Sequence, residues 1–172
     1  MFVMGIDPGL SRCGYGVVVR APGCGRGGMR AVAAGVLSTP PADPLPERLA
    51  SIAESLDSLL REFTPTVVVV ERVLFQTNAR TAMAVGQASG LALAASARRG
   101  ATVVQYSPNE VKLAVTGYGS AAKAQVQRMV QALLSLDELP RPPDVADALA
   151  LAITHVSRAP LARAAAKAGG AA

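Results

Sequence analysis

Val67-Val68-Val69-Val70-Glu71 is the stretch that decides how the rest of the chain must fold. Four consecutive β-branched residues leave no polar alternate, so the strand they form has both faces covered, as in the middle of a parallel sheet. Parallel neighbours require crossover connections, which places helices against the sheet. Glu71 then stands as a carboxylate at the C-terminal end of an otherwise apolar strand.

Upstream of that run, residues 2–6, 14–20 and 29–38 read as three strands. Asp7-Pro8-Gly9 separates the first two, and Gly23-Cys24-Gly25-Arg26-Gly27-Gly28 separates the second from the third. Such short connections predict antiparallel pairing. After Thr39-Pro40-Pro41 the period changes. Leu45, Leu49, Ile52, Leu56, Leu59 and Phe63 recur at intervals of three and four, with Glu47, Arg48, Glu54, Asp57 and Arg61 between them, which is the pattern of an amphipathic helix lying on a sheet.

Downstream, a helix is expected from about residue 78 to 99, and Ala82, Gly86, Gly90 and Ala94 form a smooth ridge along it at i,i+4 spacing. Close packing is expected there, and a subunit interface is the candidate. A strand over 101–106 precedes Ser107-Pro108-Asn109-Glu110, a capping box with Pro at the first helical position. Thr116-Gly117-Tyr118-Gly119-Ser120 breaks the chain before a helix carrying Val126, Met129, Val130, Leu133 and Leu134. A last helix spans 144–158, and the Ala-rich basic tail 158–172 is expected to be disordered. The order predicts one α/β domain over residues 1–157, with a mixed five-stranded sheet and helices on both faces.

Composition narrows the class. With 51% hydrophobic against 17% charged residues, the 172-residue chain is not a disordered one. Its net charge of +5 permits a polyanionic partner. Two cysteines, Cys13 and Cys24, point to a reducing compartment rather than a disulfide framework. The longest uncharged run, 81–97, carries Thr81, Gln87, Ser89 and Ser96, so it suits a buried helix better than a membrane span, and a cytoplasmic protein is expected.

Four acids occupy unusual positions. Asp7 and Glu71 end strands, and Asp144 and Asp147 open a helix at i,i+3 spacing, which points both the same way. Each like-charged pair at about 4 Å costs roughly 4 kcal/mol at an effective dielectric near 20, and a cation removes that cost. Oxygen-only ligands, with one His and no Cys cluster in the chain, favour Mg²⁺ or Mn²⁺ over Zn²⁺. Two such ions suit phosphodiester hydrolysis, one activating the attacking water and the other stabilising the leaving oxygen. Singly, each acid has a plainer reading: Asp7-Pro8-Gly9 as a turn, Glu71-Arg72 as a solvated pair, Asp144 as a first-turn helix acid. The four together argue for the site. His155 reads as a satisfied or surface histidine.

Basic residues form a second group. From Arg72 to Leu136 there are seven Lys or Arg and one acid, Glu110. Arg72, Arg80, Lys112, Lys123 and Arg128 flank Glu71 or the glycine break, where a phosphate backbone could pass the acids. Phe75, close after Glu71, is a candidate for stacking on an unpaired base, with burial in the core as its rival.

Gly5-Ile6-Asp7-Pro8-Gly9, Glu71-Arg72-Val73, Gly86-Gln87-Ala88-Ser89-Gly90, Gly119-Ser120-Ala121-Ala122-Lys123-Ala124-Gln125-Val126 and Asp144-Val145-Ala146-Asp147-Ala148-Leu149-Ala150 together resemble the RuvC family of bacterial Holliday-junction resolvases, over about residues 2–157. The resemblance implies a ribonuclease H-like fold and a homodimer. It also implies Mg²⁺-dependent symmetric nicking of four-way junction DNA, leaving 5′-phosphate and 3′-hydroxyl ends, in concert with a RuvA–RuvB branch-migration complex. Carried over by motif, Asp7, Glu71, Asp144 and Asp147 are the metal-binding catalytic acids of a two-ion site, with Asp7 shared between the ions, and Lys112 and Lys123 contact DNA near the cut. Where many relatives carry a stacking Phe, three residues after the Glu, this chain has Leu74, and Phe75 follows. A ribonuclease H-like nuclease acting on RNA would use the same acids, and a junction-binding scaffold is the non-enzyme alternative.

Overall fold

The computed structural model describes residues 1–20, 28–73 and 79–169. Five strands and five helices follow one another as β1 (Phe2–Asp7), β2 (Arg12–Arg20), β3 (Met29–Ser38), α1 (Leu45–Phe63), β4 (Val67–Glu71), α2 (Ala79–Arg98), β5 (Thr102–Tyr106), α3 (Pro108–Thr116), α4 (Lys123–Leu134) and α5 (Pro143–Gly169). The sheet order is β3-β2-β1-β4-β5. β1 pairs antiparallel with β2 and parallel with β4, so it sits where the sheet changes from hairpins to crossovers.

The valine run behaves as its composition demands. Val67 and Val69 join the core cluster beneath α3, α4 and α5, whereas Val68 and Val70 join the one formed with α1 and α2. β1 alternates in the same way, Val3 to the first layer and Met4 and Ile6 to the second. Helices therefore cover both faces of the sheet, as expected.

Local chemistry explains the element boundaries. α1 ends at Thr64 in the left-handed conformation, and α3 ends at Gly117 with φ 78°. The Ser107–Glu110 capping box is present with both reciprocal bonds. β1 includes Asp7 and β2 begins at Arg12, slightly beyond the expected 2–6 and 14–20, because ladder pairing reaches Asp7↔Gly14 and Arg12↔Ser38.

α5 runs past Arg158 to Gly169, in keeping with the high helix propensity of the Ala-rich sequence. Cys13 is buried and free, with its thiol pushed up to about 11, chiefly by burial. Cys24 lies outside the described residues. Among the described residues, no helix is long and apolar enough to cross a membrane.

Candidate active site

Period-two geometry puts Asp7 and Glu71 together. In the β1–β4 ladder Ile6 is opposite Val70, so the next residues on the two strands are Asp7 and Glu71. Ile6 and Val70 both enter the core beneath α1 and α2, which turns Asp7 and Glu71 to the opposite face, beneath α5. The helix can come down onto that face because the strands carry no side chains there. A Cβ on Gly5 would overlap the carbonyl oxygen of Ala148, and one on Gly14 would overlap that of Asp144. The first turns of α5 thus bring Asp144 and Asp147 to the same end of the sheet.

Electrostatics bear out the proximity. The Asp7 carboxyl is pushed up to about 7, first by burial and then by the charges of Glu71, Asp147 and Asp144. Glu71 is also raised, mainly by burial and then by Asp147, although Lys123 and Lys112 pull the other way. The two helix acids have cation partners instead. The Arg12 guanidinium lies 2.7 Å from Asp144 and the Lys123 ammonium 3.3 Å from Asp147. Asp147 in turn raises Lys123, holding it charged.

The donor chemistry suits a hard divalent cation: all four ligand candidates are carboxylates, and mutual repulsion on a buried Asp7 is what a cation would relieve. Among the described residues, however, no three Asp, Glu, His or Cys side chains close tightly enough to hold an ion. Arg12 and Lys123 each hold one of the helix acids in an ion pair.

A sequence profile described as crossover junction endodeoxyribonuclease RuvC matches residues 3–155. The chain belongs to the RuvC family. It is 54% identical over 160 residues to the crossover junction endodeoxyribonuclease RuvC of Salinispora arenicola, covering 92% of this chain and 89% of that one. The corresponding protein of Parafrankia sp. is 50% identical over 162 residues, covering 93% and 88%. Among solved structures, Thermus thermophilus RuvC in complex with Holliday junction substrate superposes with a TM-score of 0.87 at 39% identity, over 94% of this chain and 96% of that one. The fold is accordingly ribonuclease H-like, as the RuvC resemblance implied.

The other residues singled out from the sequence divide. Lys123 sits in the acid cluster, and Lys112 is close enough to lower Glu71. Arg72 turns away: its guanidinium donates to the Gln105 carbonyl at 3.2 Å and lies 4.0 Å from Glu110. Leu74 and Phe75 lie outside the described residues, as does the side chain of Arg80. His155 is satisfied, with Nδ1 3.2 Å from the Tyr106 hydroxyl. On the α2 ridge, a Cβ on Gly86 or Gly90 would have no neighbour within 4 Å among the described residues.

Two arginines escaped the sequence reading. Arg12 reaches Asp144 from the start of β2. Arg48, on α1, donates to Thr39 Oγ1 at 2.9 Å and to Ser11 Oγ at 2.6 Å, while the Thr39 hydroxyl donates to the Leu10 carbonyl at 2.6 Å. That chain of bonds clamps the turn leading away from Asp7. The sequence pattern places Arg48 on the polar face of α1, and nothing local to either arginine signals its distant partner.

Proposed function

We propose that this chain is a metal-dependent endodeoxyribonuclease that resolves four-way (Holliday) DNA junctions by paired symmetric nicks in recombination and repair. The observation that carries the reading is its match, along nearly its whole length, to a RuvC solved with Holliday junction substrate. The gathering of Asp7, Glu71, Asp144 and Asp147 at one end of the sheet supplies the chemistry.

In this reading the four carboxylates hold divalent ions, Mg²⁺ by preference with Mn²⁺ able to substitute, two to each site. When bound, such ions activate water and neutralise charge gathering on the attacked phosphate. Asp7, at the junction of β1, β4 and α5, would have to be deprotonated to act as a ligand, and Glu71 would join it from the end of β4. Lys123 and Lys112 provide the positive potential that draws a phosphate backbone towards four acids that would otherwise repel it. Phe75 and Arg80, placed by sequence just after Glu71, are proposed to contact the strand next to the cut, and Arg72 to help hold the local backbone.

Paired nicks call for two sites related by two-fold symmetry, so we take the working form to be a homodimer. Exposed Gly86, Gly90 and Ala94 on α2, with Met83 67% exposed beside them, are the interface this reading favours. A RuvA–RuvB complex as partner and a cytoplasmic setting belong to the same proposal.

The test offers the protein a mobile four-way junction, a matched linear duplex and an RNA–DNA hybrid, each with Mg²⁺ or EDTA. Symmetric, Mg²⁺-dependent nicks confined to the junction are expected. Equal cutting of the hybrid would make the chain an RNA-directed nuclease, and binding without cutting would make it a scaffold.

A further inference from the structure

Arg12 occupies a position that the local geometry explains. It begins β2 two residues before Gly14, so it lies on the same face of the strand. Gly14 is where β2 touches the backbone of Asp144, and Arg12 extends along that face to the Asp144 carboxylate, Nη2 to Oδ2 at 2.7 Å. The guanidinium is about half exposed, with 49% of its side chain accessible, whereas Asp144 is 25% accessible. The contact joins the start of β2 to the first turn of α5, on the Asp144 side of the four acids.

We infer that Arg12 is a resident counter-cation that competes with divalent metal for Asp144. With the ion pair formed, one candidate ligand is neutralised and held towards β2. For Asp144 to turn into the site, this pair must loosen, so Arg12 sets the affinity of that side of the site. The inference rests on the reading of the four acids as metal ligands. Lys123 makes the equivalent contact with Asp147 at 3.3 Å, but its ammonium also lies in the field of Asp7 and Glu71, so its removal would disturb the whole cluster. Arg12 addresses Asp144 alone among the described ion pairs.

Calorimetric titration of Mn²⁺ into the full-length protein, without DNA, tests this directly. Arg12→Gln is expected to bind Mn²⁺ about three- to fivefold more tightly than the wild type, the range set by a partly exposed ion pair. Arg30→Gln, at the opposite end of the sheet where Arg30 pairs with Val19, controls for the loss of one positive charge and should leave the affinity unchanged. In an Asp144→Asn background the Arg12→Gln effect should vanish. Circular dichroism melts verify that every variant is folded. Wild-type binding with no change, or with weakening, in Arg12→Gln would overturn the inference alone; so would an Arg12 effect that survives Asp144→Asn. No saturable Mn²⁺ binding by the wild type would overturn the metal-site reading and this inference together.

Discussion

Asp7 and Glu71 leave adjacent parallel strands one residue beyond the paired Ile6 and Val70, on the face that α5 covers. Two carboxylates placed side by side under a helix cannot both be comfortably ionised. The pair therefore stores an electrostatic penalty in the folded state, and its consequences are measurable.

Asp7 has its pKa raised from 3.8 to about 7. A carboxyl raised by folding contributes stability while it is protonated, fully below the unfolded value near pH 4, and that contribution is lost as pH rises through about 7. Asp7→Asn should therefore leave the metal-free protein more stable than wild type at pH 8, by up to about 4 kcal/mol, and little changed at pH 4. The same variant should cut a four-way junction at least about a thousandfold more slowly. Thermal melts at the two pH values and a single-turnover cleavage assay check both halves. A variant less stable than wild type at pH 8 would contradict the electrostatic account.

Divalent metal should relieve the same penalty. At a concentration near 100 times its Kd, Mg²⁺ is expected to stabilise the wild type by about 2.7 kcal/mol at pH 8. The effect should shrink towards pH 5, where Asp7 holds its proton and competes with the ion. EDTA should reverse it. Differential scanning calorimetry at both pH values reads this out, and an equal Mg²⁺ effect in Asp7→Asn would show that the ion binds elsewhere.

Lys123 stands between the acids and solvent, 3.3 Å from Asp147. Lys123→Ala should lower junction cleavage by about 10- to 100-fold. Because one phosphate contact is lost, the slope of log affinity against log salt should become shallower by about one. Unchanged cleavage together with an unchanged slope would remove Lys123 from the DNA path.

Close approach of α5 depends on Gly5. Gly5→Ala forces a Cβ into the backbone of Ala148 and Ala152, where no side chain can move aside. The expected cost is about 3 kcal/mol, or a fall of about 6–12 °C in Tm for a chain of this size. Cleavage measured well below that Tm should also fall, since lifting α5 separates Asp144 and Asp147 from Asp7. Wild-type melting in Gly5→Ala would mean that the helix sits higher on the sheet.

Gly90 separates folding from association. It lies inside α2 with open space around it, so Gly90→Gln should improve helix propensity by up to about 1 kcal/mol. If the ridge is the dimer interface, the same change should weaken the dimer by at least about tenfold while the monomer fold holds. Sedimentation equilibrium distinguishes the two, and an undisturbed dimer would move the interface elsewhere.

Much of this architecture is legible in local sequence patterns. The valine run demands a two-sided burial, and the structure divides its residues between the two cores. The Ser107–Glu110 capping box marks the start of α3 to the residue. Both follow from interactions within a few positions along the chain. The α2 ridge shows where such reasoning stops: its smoothness is visible in the spacing, yet among the described residues nothing lies within 4 Å of a Cβ placed at Gly86 or Gly90. Arg72 shows the same limit, because its neighbour in sequence is Glu71 but its guanidinium reaches Gln105 and Glu110.

The sequence by itself determined the order of strands and helices, the place where hairpins give way to crossovers, and the identity of the four acids at element ends, because the periods of strand and helix are properties of neighbouring residues. Only the tertiary structure decided how far α5 sinks onto Gly5 and Gly14, how strongly burial raises Asp7, and that Arg12 and Lys123 take Asp144 and Asp147 as partners. Those outcomes depend on distances between groups far apart in the chain. Coulomb and desolvation energies change steeply over a few ångströms, and such distances exist only once the helix is packed on the sheet.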